Sequence, residues 1–172
     1  MDVNIRACAV GDAIALSLVG QATFLETYAG VLPAADIFAH CEVEHGGARY
    51  AAWLGGPEHR IWIAEMADGA APVGYAVVSP PDLPVPTGPG DLELKRIYLL
   101  HRFHGARVGA RLLTAAVEGA RAAGAARLLL GVYRRNARAV EFYSRQGFVH
   151  AGERRFRVGA NEYDDLVLAR PL

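Results

Sequence analysis

The sequence predicts a mixed α/β (α+β) domain, a sheet flanked by helices, and three observations lead there. Apolar residues recur at helical spacing in some segments and in short β-prone runs in others. The two kinds of segment follow one another as β-α-α-β-β-β-α-β-α-β-β. The 172 residues fit one domain, residues 1–172, and 52% hydrophobic against 21% charged residues marks a chain that buries a core.

Val3 to Ala7 reads as a short strand. Asp12 suits the N-cap of a helix running toward Tyr28, whose Ile14, Leu18, Ala22 and Leu25 fall at helical spacing and are expected to face the core. Pro33 fits the first turn of a second helix through Ala34 to Val43. Arg60 to Glu65 and Pro72 to Ser79 form an antiparallel pair across a turn at Asp68-Gly69. Five prolines make residues 80–90 a loop. Leu92 to Leu100 is a strand, Gly105 to Ala123 a helix closed by Gly124, and Arg127 to Val132 an apolar strand of the kind covered on both faces. Asn136 caps a helix that runs through Gln146 and ends at Gly147. Strands around Phe148 to Val158 and Glu162 to Ala169 follow, joined by a turn at residues 159–161.

Several function classes are excluded early. Lys plus Arg equals Asp plus Glu at 18 each, so no overall field draws the protein toward nucleic acid or a membrane surface. Cys8 and Cys41 lack a CxxC spacing, and Cys41 between His40 and His45 lacks a further ligand at zinc spacing, so no metal is expected. The N-terminus has no basic region before its apolar residues, and no run of about 20 apolar residues occurs, so a cytoplasmic location is expected.

Residues 91–113 (DLELKRIYLLHRFHGARVGARLL) place a strand, a glycine-bearing turn and a helix start in succession. Unpaired N–H groups and the macrodipole at a helix start favour an anion. Gly105 and Gly109 permit close approach, and Arg102, His104 and Arg107 add positive charge, which together make a pyrophosphate cradle. Neither GxxxxGK[ST] nor GxGxxG is present.

With residues 136–148 (NARAVEFYSRQGF), this segment resembles the GNAT superfamily of N-acetyltransferases, whose signature is R/Q-x-x-G-x-G/A and, later, N-x-x-A-x-x-F-Y-x-x-x-G-F. The first part appears as Arg102, Gly105 and, in place of the usual Gly or Ala, Arg107. The second is complete at Asn136, Ala139, Phe142, Tyr143, Gly147 and Phe148. Most of the chain is similar to the bacterial spermine/spermidine acetyltransferases of the PaiA type.

The resemblance implies a GNAT fold, a mostly antiparallel sheet of six to seven strands with about four helices. It implies direct transfer of acetyl from acetyl-CoA, the co-substrate, to a primary amine of a small molecule, and it leaves a homodimer open. The implied cofactor contacts are Ile97, Tyr98, Leu99, Arg102, His104, Gly105, Ala106, Arg107, Val108, Gly109, Asn136 and Tyr143. Arg107 would pair with a phosphate, the Leu99 N–H would face the oxyanion, and Tyr143 would protonate the departing thiolate. Glu93, on the same strand, is the implied base. Arg145 reads either as a 3′-phosphate contact or as solvated.

The acceptor is less legible. Glu26, Glu162, Asp164 and Asp165 would hold a polyamine, Arg154, Arg155 and Arg157 would repel one unless they face away, and Phe24, Tyr28 and Trp62 would line its pocket or pack in the core. A protein N-terminal or lysyl acetyltransferase and a non-catalytic acetyl-CoA sensor are the alternatives.

Overall fold

The computed structural model describes residues 2–172. Seven strands, β1 (Val3–Ala7), β2 (Arg60–Met66), β3 (Pro72–Ser79), β4 (Asp91–Leu99), β5 (Arg127–Tyr133), β6 (Val149–Val158) and β7 (Asn161–Pro171), form one sheet in the order β1-β2-β3-β4-β5-β7-β6. Every neighbouring pair is antiparallel except β4–β5. That parallel pair needs a crossover, which the helix between them supplies. Five helices cover the sheet: α1 (Ala13–Tyr28), α2 (Ala34–Glu44), α3 (Gly47–Gly55), α4 (Val108–Ala122) and α5 (Ala137–Arg145).

Strand alternation sorts the side chains into two layers. On one face, Ala64, Ala76, Val78, Leu94, Leu128, Leu130 and Leu168 pack against Leu112, Leu113, Ala116 and Ala120 of α4 and Tyr143 of α5. On the other, Ile61, Ile63, Tyr75 and Val77 meet Leu16 and Val19 of α1 and Tyr50 and Trp53 of α3. The proline-rich loop folds over the same second face, Leu83 and Val85 covering Leu129, Val167 and Ala169.

The expected fold is present, with four local corrections. The buried stripe of α1 is Leu16, Val19, Gly20, Thr23 and Phe24, whereas Ile14, Leu18 and Leu25 are 81%, 64% and 50% exposed. This helix is apolar nearly all round, so spacing alone does not choose its inner face. Asp12 stands at the N-cap position without capping α1. Its carboxylate instead accepts the Ala9 N–H at 2.7 Å and takes both terminal nitrogens of Arg6 at 2.8 Å, closing the turn before the helix. Helix α3 was not anticipated: it is short, begins at a glycine and has no side-chain cap. Helix α4 starts at Val108 rather than Gly105, because Gly105 (φ 87°) and Arg107 (φ 60°) are both left-handed and end the loop before it.

The feature that creates a site is the parting of β4 from β5. They pair only from Asp91↔Arg127 to Glu93↔Leu129, after which β4 stays with β3 and β5 with β7. A bulge accompanies the parting, since β3 residues Val77 and Val78 face Arg96 and Leu94 and leave Lys95 unopposed. Bulges bend a strand and increase its twist, as this divergence requires.

Candidate active site

Beyond Glu93 the β4 edge facing β5 has no strand partner. Leu100 N–H donates to Val73 O at 2.9 Å, so ladder alternation turns Tyr98 toward β3 and Ile97 and Leu99 toward the opening. The Leu99 carbonyl is held by His104 Nε2 at 2.9 Å, which leaves its N–H directed into the cleft. This is the geometry expected of an oxyanion donor beside an extended cofactor arm.

At the wide end of the opening lies the loop from His101 to Arg107. The first turn of α4 presents free N–H groups there, the first helical bond being Arg111 N–H to Arg107 O at 3.0 Å. Val108 itself is buried, so only its backbone is available. A Cβ at Gly105 would meet nothing, and one at Gly109 would only graze Leu99, so both positions open onto space. Arg107 is exposed and left-handed, and His104 Nδ1 is buried without a partner. Open glycines, a helix N-terminus and basic side chains fit a phosphate-bearing group, whereas His104 Nδ1, with Nε2 donating to Leu99 O, is an acceptor. Arg138, in the first turn of α5, sits close enough to His104 to disfavour its protonation, a basic neighbour that the sequence reading missed. Burial is the larger cause of that lowered His104 pKa. Asn136 Oδ1 accepts the Ala139 N–H at 3.1 Å, so its capping role is realised. Arg145 pairs with Glu141 at 2.8 Å on the exposed side of α5.

Tyr143 packs between Phe142 and Phe148, with ring centroids 5.3 and 5.7 Å away. Burial raises its phenol well above the ordinary range, with a smaller contribution from Tyr98 across the opening. A phenol so placed keeps its proton at neutral pH, and it can protonate a thiolate only if the same burial raises that thiolate's proton affinity as well.

Glu93 does not stand with these groups. It is buried, but it points toward the proline-rich loop, where it accepts the Asp82 N–H at 2.8 Å and lies 4.0 Å from Lys95. Six extended residues separate it from Leu99, roughly 20 Å of strand. From there, the expected base role would require a water relay over that distance.

On the α1–α2 side lies a small pocket with about 10 Å³ of free space, room for one water-sized group. Tyr28, Tyr133, Phe156 and Tyr163 supply rings, Leu32 and Val158 supply apolar surface, and Asp165 is the one charged group. Of the aromatic residues expected there, only Tyr28 lines it. Phe24 is buried against Tyr28 and His40, and Trp62 lies on the opposite face, packed over Gly119 of α4. Phe156 and Tyr163 face each other across the β6–β7 hairpin, and Tyr133 joins them only through the long-range β5–β7 pairing, which no local pattern announces. Asp36 of α2 accepts the Ala160 N–H at 3.2 Å and also the Asn161 side-chain amide, pinning the β6–β7 turn beside the pocket.

The arginines of β6 divide as alternation predicts. Arg154 faces inward to Asp165, while Arg155 and Arg157 lie on the outer face with Glu162, at 3.8 and 3.3 Å. Glu26 accepts the His101 N–H at 2.9 Å and so ties α1 to the cofactor loop rather than facing the pocket. Among the described residues, no group of three or more His, Cys, Asp or Glu is placed to hold a metal ion. No described helix is long and apolar enough to cross a membrane.

A parted parallel strand pair, a helix N-terminus at its wide end and an aromatic pocket behind it define an acyl-transfer fold built around an extended thioester. The chain belongs to the Acetyltransferase (GNAT) family, whose model matches residues 26–148. It is 34% identical over 161 residues to uncharacterised N-acetyltransferases of Mycobacterium tuberculosis and Mycobacterium bovis, spanning 94% of this chain and 98% of theirs. Among solved structures it is similar to the PaiA N-acetyltransferase of Thermoplasma acidophilum in complex with coenzyme A, with TM-score 0.80, 19% identity and full coverage of both chains. It is also similar to the ribosomal-protein-S18-alanine N-acetyltransferase of Escherichia coli, with TM-score 0.70, 17% identity and coverage of 99% and 94%. The protein is thus an acetyl-CoA-dependent N-acetyltransferase.

Proposed function

We propose that this enzyme acetylates the primary amine of a small molecule, with Tyr143 as the acid that protonates coenzyme A thiolate and the Leu99 N–H as oxyanion donor. The observation that carries this reading is the pocket behind the parted strands, narrow, ringed by tyrosines and holding a single carboxylate. The phosphates would lie over the Gly105–Gly109 turn, within reach of Arg102, Arg107 and Arg138, and the pantetheine arm along Ile97–Leu99. The narrower expectation of a polyamine draws only on the likeness to the PaiA structure.

Thiol release from acetyl-CoA across polyamines, monoamines, amino acids, aminoglycosides and peptides tests the reading. Turnover confined to peptides, or acetyl-CoA binding without turnover on any acceptor, would sink it. In the same assay Tyr143→Phe should lower kcat by about two orders of magnitude, the usual scale of a lost general acid, with acetyl-CoA affinity kept. An unchanged kcat would remove Tyr143 from the acid role.

A further inference from the structure

Building on the amine-acetyltransferase reading, we propose that Asp165 receives the acceptor's ammonium group at this pocket and takes its proton, and that the acceptor is a primary monoamine of which only the ammonium head enters, the free space of about 10 Å³ matching one water-sized group.

The position is right. Continuing the β4–β5 register past Glu93↔Leu129 sets Tyr133 level with Ile97, and Tyr133 pairs with Asp165. Asp165 therefore stands across the opening from the Ile97–Leu99 edge that lines the thioester site. Its ionisation and that of Arg154 both act on the Tyr98 hydroxyl, which also interacts with Tyr28 and Tyr143.

Half of the carboxylate is committed and half is available. Arg154 Nε and Nη2 both approach Asp165 Oδ2, each at 3.1 Å, and no hydrogen bond reaches Oδ1 from the described residues. Oδ1 is the atom left for an ammonium hydrogen, in a pocket whose lining includes Tyr28, Tyr133 and Tyr163. Gly131 makes the arrangement possible, because a Cβ there would come within 2.5 Å of the Arg154 guanidinium. Burial raises the Asp165 pKa above the ordinary carboxylate range, opposed in part by Arg154, which makes the carboxylate a better proton acceptor than a solvated one.

The surrounding charges set the substrate class. Glu153 pairs with Arg134, and Glu162 with Arg155 and Arg157. The depression next to the pocket holds Arg134, Arg154 and Arg155 against Glu153, Asp164 and Asp165. A second or third ammonium group would find no surplus of negative charge there.

In the reaction, the ammonium gives one proton to Asp165 Oδ1, and the freed nitrogen lone pair forms the C–N bond while the carbonyl electron pair moves to oxygen. Collapse breaks the C–S bond, and the thiolate takes the Tyr143 proton. The second N–H proton, acidified on the tetrahedral carbon, returns to the Tyr143 phenolate. Asp165 releases its proton to solvent, so ammonium and thioester become amide, thiol and one H⁺.

The test measures kcat/KM against pH for apolar monoamines and for spermidine, with acetyl-CoA affinity measured separately. Asp165→Asn should lower kcat/KM at least 100-fold and remove the acid limb, with acetyl-CoA affinity within threefold of wild type. Arg154→Gln, and equally Gly131→Ala, should move the acid limb to higher pH, and they serve as the readout if Asp165→Asn does not fold. An Asp165→Asn enzyme with unchanged rate and pH profile, an acid limb that stays put in both other variants, or a preference for spermidine over monoamines would overturn the proposal and leave the acetyltransferase reading standing. A wild-type enzyme that binds acetyl-CoA but acetylates no amine would overturn both.

Discussion

Arg107 is where the family signature and this sequence part, and its backbone shows what the departure entails. At φ 60° and ψ 6° it occupies the left-handed region that glycine adopts freely and that costs other residues about 1 kcal/mol or more. Its exposed side chain borders the first turn of α4, where an anion is favoured. Strain and phosphate binding therefore pull in opposite directions under Arg107→Gly. The variant should unfold at an equal or slightly higher temperature, because relief of strain outweighs or balances the added freedom of glycine in the unfolded chain. Its acetyl-CoA Kd should rise about tenfold, the roughly 1.4 kcal/mol expected for one phosphate-paired guanidinium. Calorimetric binding with a thermal melt checks both halves, and tighter cofactor binding would refute the phosphate role.

At the scale of elements, legibility followed locality. Helix α5 was readable from end to end because its Asn136 cap, its Tyr143 and its terminal Gly147 (φ 83°) lie within a dozen residues and each has a local physical reason. The parting of β4 and β5 was implied only through family likeness. Of the pocket rings, Phe156 and Tyr163 meet across the locally legible β6–β7 hairpin, whereas Tyr133 joins them only through pairing between distant segments. Helix α1 shows the opposite failure. Two apolar stripes compete on it, Ile14-Leu18-Leu25 and Leu16-Val19-Phe24, and only docking onto β3 and α3 decides between them. Leu16→Ala should accordingly cost about 2–5 kcal/mol through the cavity it leaves. Leu18→Ala should stay within about 0.5 kcal/mol. Urea unfolding of the two variants measures the contrast, and equal losses would mean that the helix is seated differently.

Across the whole molecule, the two layers on the sheet differ in how they respond to acid. The α4–α5 layer is an apolar core, but the α1–α3 layer buries a polar cluster. His45 Nδ1 lies 2.9 Å from the Tyr50 hydroxyl, which donates to Tyr75 and receives Arg96 Nη1, while His40 stacks on Phe24 at 4.4 Å. Burial first, and the Arg96 charge second, lower His45 to about 2 and His40 to about 4 from an ordinary 6.5. Both groups therefore bind protons more readily unfolded than folded. Their contribution to stability is complete above pH 6.5. It falls as pH drops from 6.5 toward 4 for both and toward 2 for His45 alone, by at most about 1.4 kcal/mol per pH unit for each. Asp12, lowered to about 2 by Arg6, adds a loss only below its ordinary 3.8, and Asp165, raised by burial, acts in the opposite sense. Without ligand, the unfolding free energy from urea titration should thus fall by about 2 kcal/mol or more between pH 7 and pH 5, and a flat profile would mean that the two histidines are hydrated in solution. Because Tyr28, Leu32 and the Asp36 anchor beside the aromatic pocket belong to this same layer, acid should loosen the α1–α2 side of the sheet before the α4–α5 side. Hydrogen exchange at pH 5 should then show α1 and α2 losing protection ahead of α4 and β5, and simultaneous loss across both layers would show that the sheet opens as one cooperative unit.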